Sequence, residues 1–423
     1  MTQEDTKIPR GRWNRIALLL FLIYTAAFLD RGNISIAAPQ MTKDLGITAV
    51  SMGVLLSIFF WGYVITQIPG GWVAQRFSPK WVIIIAMFIW GIFSALTGYM
   101  RSYGGVETAR FLMGLAEGVV WPSFIVVVFR WFPGKERAQA LNLLLISLPL
   151  GSLIAYPLGG WMIATWNWHV MFYLQAIPPI ILSIAGIFLL FDDPVKDPYL
   201  SSTERDYILA YRTKEPTKTE QRTSLVESFK DIKLWGLGLA YLCWISGFYA
   251  FGLWLPTVVN GLTRAGIGAV GLISTIPPII GIIAMFLNAR ASDKAEARAK
   301  YVIWPLVVGG IGLVISRFVT QPVLELFLLS VGAIGVYASF GPWWAWCAEH
   351  VAPENVGATN GFVNFAGNFG GIVGPIFVAV VVGAANIGTG FWVLGVGMFL
   401  SAILAWIINK SKTNHATVTG LAS

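Results

Sequence analysis

The sequence predicts an all-α integral membrane protein of twelve transmembrane helices in two pseudo-symmetric six-helix halves. Three observations predict it. Of the 423 residues, 56% are hydrophobic and only 12% charged, and the mean hydropathy is +0.69; a soluble globular chain carries about 25% charged residues. Apolar runs of about 20 residues recur along the chain, the length an α-helix needs to cross a bilayer, whereas barrel strands would be about 10 residues long and alternating. Basic residues crowd alternate loops, which is how the chain's orientation in a membrane is written.

The runs predict helices at 14–37, 51–74, 80–99, 105–131, 138–162, 168–191, 234–259, 267–289, 299–318, 323–347, 355–383 and 388–409. The first run is too long for a signal-peptide apolar region and no small-residue cleavage site follows it, so it reads as a retained span. Arg10, Arg12, Arg15, Arg76, Lys80, Arg130, Lys135 and Arg137 fall on one side. The 192–233 segment, Arg290, Lys294, Arg298, Lys300, Lys410 and Lys412 fall there too. The opposite loops hold only Lys43, Arg101, Arg264 and Arg317. Both termini are therefore expected in the cytoplasm of a multi-pass cell (inner or plasma) membrane protein. The net charge of +8 is a topology signal rather than a nucleic-acid footprint, and no nucleic-acid partner is expected.

The expected organisation is a cytoplasmic N-terminus (1–13), a six-helix bundle (14–191), a polar cytoplasmic linker (192–233), a second bundle (234–409) and a tail (410–423). Thr203-Glu204-Arg205 ahead of Tyr207, Ile208 and Leu209 suits the start of one amphipathic helix near Ser202–Tyr211. The halves echo each other. Gly70 to Lys80 and Asn288 to Lys294 are short basic turns after the second helix of each half. Transporters built from repeated halves commonly bind substrate near the midplane.

Four charges break the apolar spans. Asp30 and Arg31 lie in the first, within Phe28-Leu29-Asp30-Arg31-Gly32-Asn33-Ile34-Ser35, and Arg110 and Glu117 in the fourth. Each costs roughly 2.5–3.5 kcal/mol at the bilayer centre on insertion scales, so they need a shared polar environment. Adjacent helical residues point about 100° apart, so Asp30 and Arg31 cannot face one way. Arg31 shares a stripe with Tyr24 and Ser35. A structural ion pair between helices is the alternative to a transport pathway. Arg110, Gly114, Glu117 and Trp121 share one helical face, Gly114 admitting a helix or a ligand. Arg110, nearer the outer end, could instead snorkel to the interface; Glu117, about two turns deeper, could not.

The second half offers polar rather than charged candidates. Asn360, Asn364 and Asn368 recur every four residues among glycines, as packing contacts or as ligand contacts. Trp343, Trp344 and Trp346 are interfacial anchors or a cavity wall. Gly151, Ala155 and Gly159, with Pro149 and Pro157, read as close packing with kinks. Cys243 and Cys347 read as apolar packing residues. There is no Walker loop, HExxH, paired CxxC or GxSxG, so an enzyme or ATP-driven pump within this chain has no support, and no metal or cofactor is expected.

These motifs together resemble the major facilitator superfamily, and within it the anion:cation symporter family, over essentially the full length. The matching features are Leu29 to Ile34, Arg110 through Glu117-Gly118 to Trp121-Pro122, and Trp131-Phe132-Pro133 with Glu136-Arg137-Ala138. To these add Trp254-Leu255-Pro256, Ser292-Asp293-Lys294, and Asn364 to Asn368 leading to Pro375. The resemblance implies import of organic anions together with protons. It implies Asp30 and Glu117 as proton carriers, Arg110 as their switching partner, and Arg31 as the grip on the substrate carboxylate. Tyr63, Trp344, Asn364 and Asn368 would complete the pocket. Gln75, Arg76 and Asp293 would belong to the cytoplasmic gate. Two departures stand out. Gln75 and Ser78 replace the superfamily's usual Asp and Gly. Leu148 stands where sugar-acid members often carry Gln, which together with Trp61, Trp121 and Trp344 favours a smaller or less hydroxylated acid.

The expected function is therefore proton-coupled symport of a small organic anion by a functional monomer in a lipid bilayer, with the proton as coupling ion. An exchanger or exporter of the same fold stays open, as does a transporter-like anion sensor signalling through the linker.

Overall fold

The computed structural model describes residues 10–214, 231–295, 298–351, 356–382 and 390–420. Among the described residues, twelve helices are long and apolar enough to cross a membrane: α1 (Trp13–Asp44), α2 (Ala49–Arg76), α3 (Pro79–Tyr99), α4 (Tyr103–Trp131), α5 (Gln139–Thr165) and α6 (Trp168–Leu189), then α7 (Ile232–Thr263), α8 (Ile267–Lys294), α9 (Arg298–Ser316), α10 (Pro322–Ala348), α11 (Thr359–Val381) and α12 (Trp392–Lys410). Each falls on a predicted run. α1 continues past its expected end at 37 as far as Asp44, whose Oδ2 accepts a hydrogen bond from Trp168 Nε1 at 2.8 Å.

Local chemistry sets the helix starts. Ser78 precedes Pro79 and accepts from the Trp81 amide at 3.1 Å. Gln321 does the same for α10, with Pro322 at the first helical position. A side-chain oxygen satisfies an amide that has no partner within the helix, and proline there gives up an N–H the helix could not use. The α1–α2 turn passes through Gly46 at φ +61°, and α7 ends on Arg264 at φ +50°. Inside the bundle, α4 turns at Gly118–Val119, between the helical stretches Tyr103–Glu117 and Val120–Trp131.

The packing repeats. α3 packs on α4 and α6, and six helices later α9 packs on α10 and α12. By compactness the chain forms two units. The first comprises Met1–Arg31, Trp61–Gly151 and His169–Lys218, and the second Gly32–Phe60, Ser152–Trp168 and Thr219–Ser423. This grouping cuts across the order of the chain: parts of α1, α2 and α5 fall in one unit with the last six helices. Within the second unit, Tyr156 of α5 donates to the Gly252 carbonyl of α7 at 2.7 Å. Gly271 of α8 lies against Gly160 and the Tyr156 backbone so tightly that a Cβ would collide. Gly53 of α2 meets Ala379 and the Pro375 carbonyl of α11 in the same way. Close approach of backbones through small residues is how membrane helices gain packing energy without a hydrophobic driving force.

A helix runs over Ser202–Lys214, where the sequence leads one to expect it. It is bound into the first unit by charges. Glu204 accepts from the Gly11 and Arg12 amides at 3.1 and 2.9 Å and from Arg12 Nη1 at 2.6 Å. Arg12 also grips Glu136, in the first turn of the helix Gly134–Leu145 that follows α4, at 2.8 Å to both carboxylate oxygens, and Tyr207 Oη donates to Glu136 at 2.8 Å. Arg15 pairs with the buried Asp197 beneath the Tyr199 ring. None of these pairings follows from sequence proximity.

Candidate functional site

The adjacent Asp30 and Arg31 diverge as helical geometry requires. Asp30, 1% exposed, turns to α3: Trp90 Nε1 donates to its Oδ2 at 2.5 Å and Ser94 Oγ to its Oδ1 at 3.0 Å. Arg31 turns to α4, where Nε donates to Glu117 Oε1 at 2.7 Å and Nη2 pairs with the same oxygen. Its guanidinium lies over the rings of Phe28 and Tyr63, 4.5 and 4.6 Å from their centroids. Such cation–π contacts contribute about 0.5–2 kcal/mol each. A flat cation stacked on rings and bonded edge-on to one carboxylate is a geometry that lysine could not reproduce.

Glycines place these side chains. Gly62 of α2 abuts the Phe111 carbonyl and Gly114 of α4, and Gly118 abuts Thr66 and the Tyr63 carbonyl. The neighbour that Gly114 admits is therefore α2, and its approach carries Tyr63 to the guanidinium. Glu117 is the last residue before the α4 turn, 1% exposed, and its Oε2 makes no hydrogen bond. Arg110 is equally buried and interacts electrostatically with both Asp30 and Glu117. Interfacial snorkelling is thus ruled out for Arg110, since its head is enclosed by protein rather than water. Tyr24 and Trp121 stack with centroids 5.0 Å apart and planes at 21°. Trp61 is exposed.

So the first unit gathers Asp30, Arg31, Tyr63, Arg110 and Glu117. Trp344, Asn364, Asn368 and Asp293 lie in the second unit, whereas Gln75 and Arg76 belong to the first. Trp344 is half-buried, tilted against Tyr241 at 5.2 Å. Asn368 Oδ1 accepts from Tyr249 Oη of α7 at 3.1 Å, a packing bond between α7 and α11, and Asn364 sits half-buried one turn before it. Trp343 and Trp346 are not interfacial anchors. Both are fully buried, Trp343 stacked on Tyr241 at 5.1 Å. Cys243 and Cys347 are free thiols. Among the expected gate residues, Gln75, Arg76 and Asp293 are all exposed, with the Arg76 guanidinium over the Trp72 ring at 5.6 Å. Among the described residues no cluster of His, Cys, Asp or Glu could hold a metal ion.

Sequence reasoning passed over Trp90 and Ser94, the partners of Asp30. Their signal is faint but physical: a tryptophan and a serine four residues apart on the buried stripe of α3 that also holds Met87 and Thr97.

The profile of the Major Facilitator Superfamily matches residues 20–375 and again 264–422. The chain belongs to the major facilitator superfamily. It is a multi-pass membrane transporter, not an enzyme. The "Putative tartrate transporter" of Agrobacterium vitis is 30% identical over 96% of this chain and 92% of its own. The "Probable galactarate/D-glucarate transporter GudP" of Escherichia coli is 28% identical, covering 93% and 92%. Among solved structures, a D-xylose-proton symporter aligns with a TM-score of 0.72 at 18% identity, over 92% of this chain and 96% of that one. A bacterial homologue of the human lysosomal transporter Spinster aligns with a TM-score of 0.76 at 16% identity, over 95% and 96%. At such identities the structural likeness speaks for the fold.

Proposed function

We propose that this transporter carries a small organic anion into the cell together with a proton, its termini in the cytoplasm of the cell membrane. The observation that carries the reading is the Arg31–Glu117 pair. Arg31 is already satisfied by Glu117, so an incoming carboxylate must displace that partner. A proton on Glu117 does this. It removes the negative charge that competes for the guanidinium, and Arg31 then takes the substrate by charge-assisted hydrogen bonds. Loss of the proton on the cytoplasmic side lets Glu117 reclaim Arg31 and expel the anion. Each bound state stays paired, which matters because separate buried ions cost far more than a pair. The names of the relatives, transporters of tartrate and of galactarate and D-glucarate, support an organic anion as the cargo.

The test is uptake by proteoliposomes of tartrate, galactarate and a panel of monocarboxylates, with and without an inward pH gradient. Arg31→Ala is expected to abolish binding and uptake. Glu117→Gln is expected to keep exchange of internal for external anion but lose uphill accumulation. Gradient-driven accumulation by Glu117→Gln equal to wild type would refute the coupling role.

A further inference from the structure

We propose that the groove between α3 and α4, beside the α2–α3 turn, seats one acyl chain of an anionic phospholipid whose headgroup rests on Arg76. The inference stands apart from the coupling reading, because it concerns the surface of the first unit and not the buried charges of α1 and α4.

The groove holds about 420 Å³, and no charged side chain lines it. α3 contributes Trp81, Ile85 and Ile89, α4 contributes Leu115 and Val119, and Phe77 comes from the turn. The three α3 residues recur every four, so they form one stripe of the helix, and all three are exposed. From Trp81 to Ile89 the stripe rises about 12 Å at about 1.5 Å per residue. That is most of the depth of one leaflet's hydrocarbon, half of a core of roughly 30 Å. A water-soluble metabolite is held by a few placed polar groups. Here the lining hydroxyl, Ser78, already donates to Asp192 at 2.6 Å. The occupant is therefore apolar along its length.

One end of the groove is basic. Arg76 is exposed, its guanidinium lies 5.6 Å over the Trp72 ring, and that ring meets Phe77 edge-on at 6.3 Å. A cation, an indole and the first residue of the groove thus follow one another along the surface. Lys80 adds a second charge but is turned to α6, donating to the Ile187 carbonyl at 2.7 Å and lying 4.7 Å over the Phe191 ring. The sequence holds no acid between Asp44 and Glu107. Folding brings Asp192 to the turn, and its carboxylate is engaged by the Ser78 hydroxyl, by the Lys80 amide at 3.0 Å and by Arg130 at 4.0 Å. An incoming headgroup therefore meets the charge of Arg76, and basic residues beside the apolar surface recognise anionic lipid. Trp72 and Trp81, both exposed, flank the turn where indoles collect at headgroup level. Free phosphate would use the arginine and leave the groove empty; an amphiphile uses both. Arg76 thereby gains a role on the lipid side of the turn, beyond the gate that the resemblance implies.

Native mass spectrometry of the full-length transporter with equal amounts of dioleoyl phosphatidylglycerol, phosphatidylcholine and phosphatidylethanolamine tests this. The most tightly held adduct is expected to be phosphatidylglycerol, over phosphatidylcholine by about fivefold, the attraction of one basic residue for an anionic lipid. Arg76→Gln should bring it down to the phosphatidylcholine level. Arg317→Gln, which changes a likewise exposed arginine of the second unit, should leave it in place. Ala116→Leu fills the groove from α4 and should weaken retention whatever the headgroup. Ile89→Trp does so from α3 and decides should Ala116→Leu fail to fold. Equal retention of the three lipids by the wild type, or a preference for phosphatidylethanolamine, overturns the proposal. So does a phosphatidylglycerol adduct that survives the groove variants, or one lost equally in Arg317→Gln; the lipid would then be annular only. A dimer peak that disappears in the groove variants would give the groove to a second copy of the chain, and would equally overturn it.

Discussion

Arg12→Ala should release the Ser202–Lys214 helix from the first unit. Arg12 is 3% exposed and grips two acids: Glu204, itself 1% exposed, at 2.6 Å and Glu136 at 2.8 Å. Truncation leaves Glu136 with Tyr207 and Trp13 as donors. Glu204 keeps the backbone amides of residues 11 and 12 as donors but loses its paired guanidinium, retaining only an electrostatic interaction with Arg15. Removing one partner of a buried pair costs about 3–5 kcal/mol. The helix can avoid that cost by undocking, so its open population should rise by at least about 150-fold, at 1.4 kcal/mol per decade. Hydrogen–deuterium exchange of peptides covering 202–211 measures this directly, with α3 as the internal control. Glu204→Gln should loosen the helix less, since a neutral amide still accepts from Arg12. Unchanged protection in Arg12→Ala would show that something other than this cluster holds the helix.

Further outcomes follow from the second unit. Gly271→Leu places a side chain where the Gly160 and Tyr156 backbones lie; it should cost about 1–3 kcal/mol, read as a lower melting temperature in detergent, and should reduce transport. Tyr156→Phe removes the hydroxyl that donates to the Gly252 carbonyl and also engages Ser152 and Ser35; it should cost about 0.5–1.5 kcal/mol per bond lost with little change in packing, so a full loss of stability would contradict this reading. Tyr249→Phe and Asn368→Ala remove the same bond, so a double-mutant cycle on melting should be non-additive; strict additivity would mean that the two side chains do not interact.

Much of the architecture was legible before any coordinates. The spans and the helix near Ser202 each follow from composition over a window. The four in-span charges announced themselves by cost alone. What the sequence left open was which group meets which. Asp30 and Arg31 are neighbours in the chain, yet one bonds Trp90 and Ser94 of α3 and the other Glu117 of α4. Likewise Arg12, which reads as one basic loop residue among many, lies buried between Glu136 and Glu204. The tryptophans after Pro342 look alike in sequence, but Trp343 and Trp346 are core while Trp344 is half-exposed.

The division has a physical cause. Entry of a segment into lipid depends on its own side chains, summed over about 20 residues, so the sequence by itself determined the helices and their number. Partner choice between buried charges depends on how two helices rotate and how closely glycines such as Gly62 and Gly118 let them approach. That is a property of packing between distant segments, and only the tertiary structure decided it.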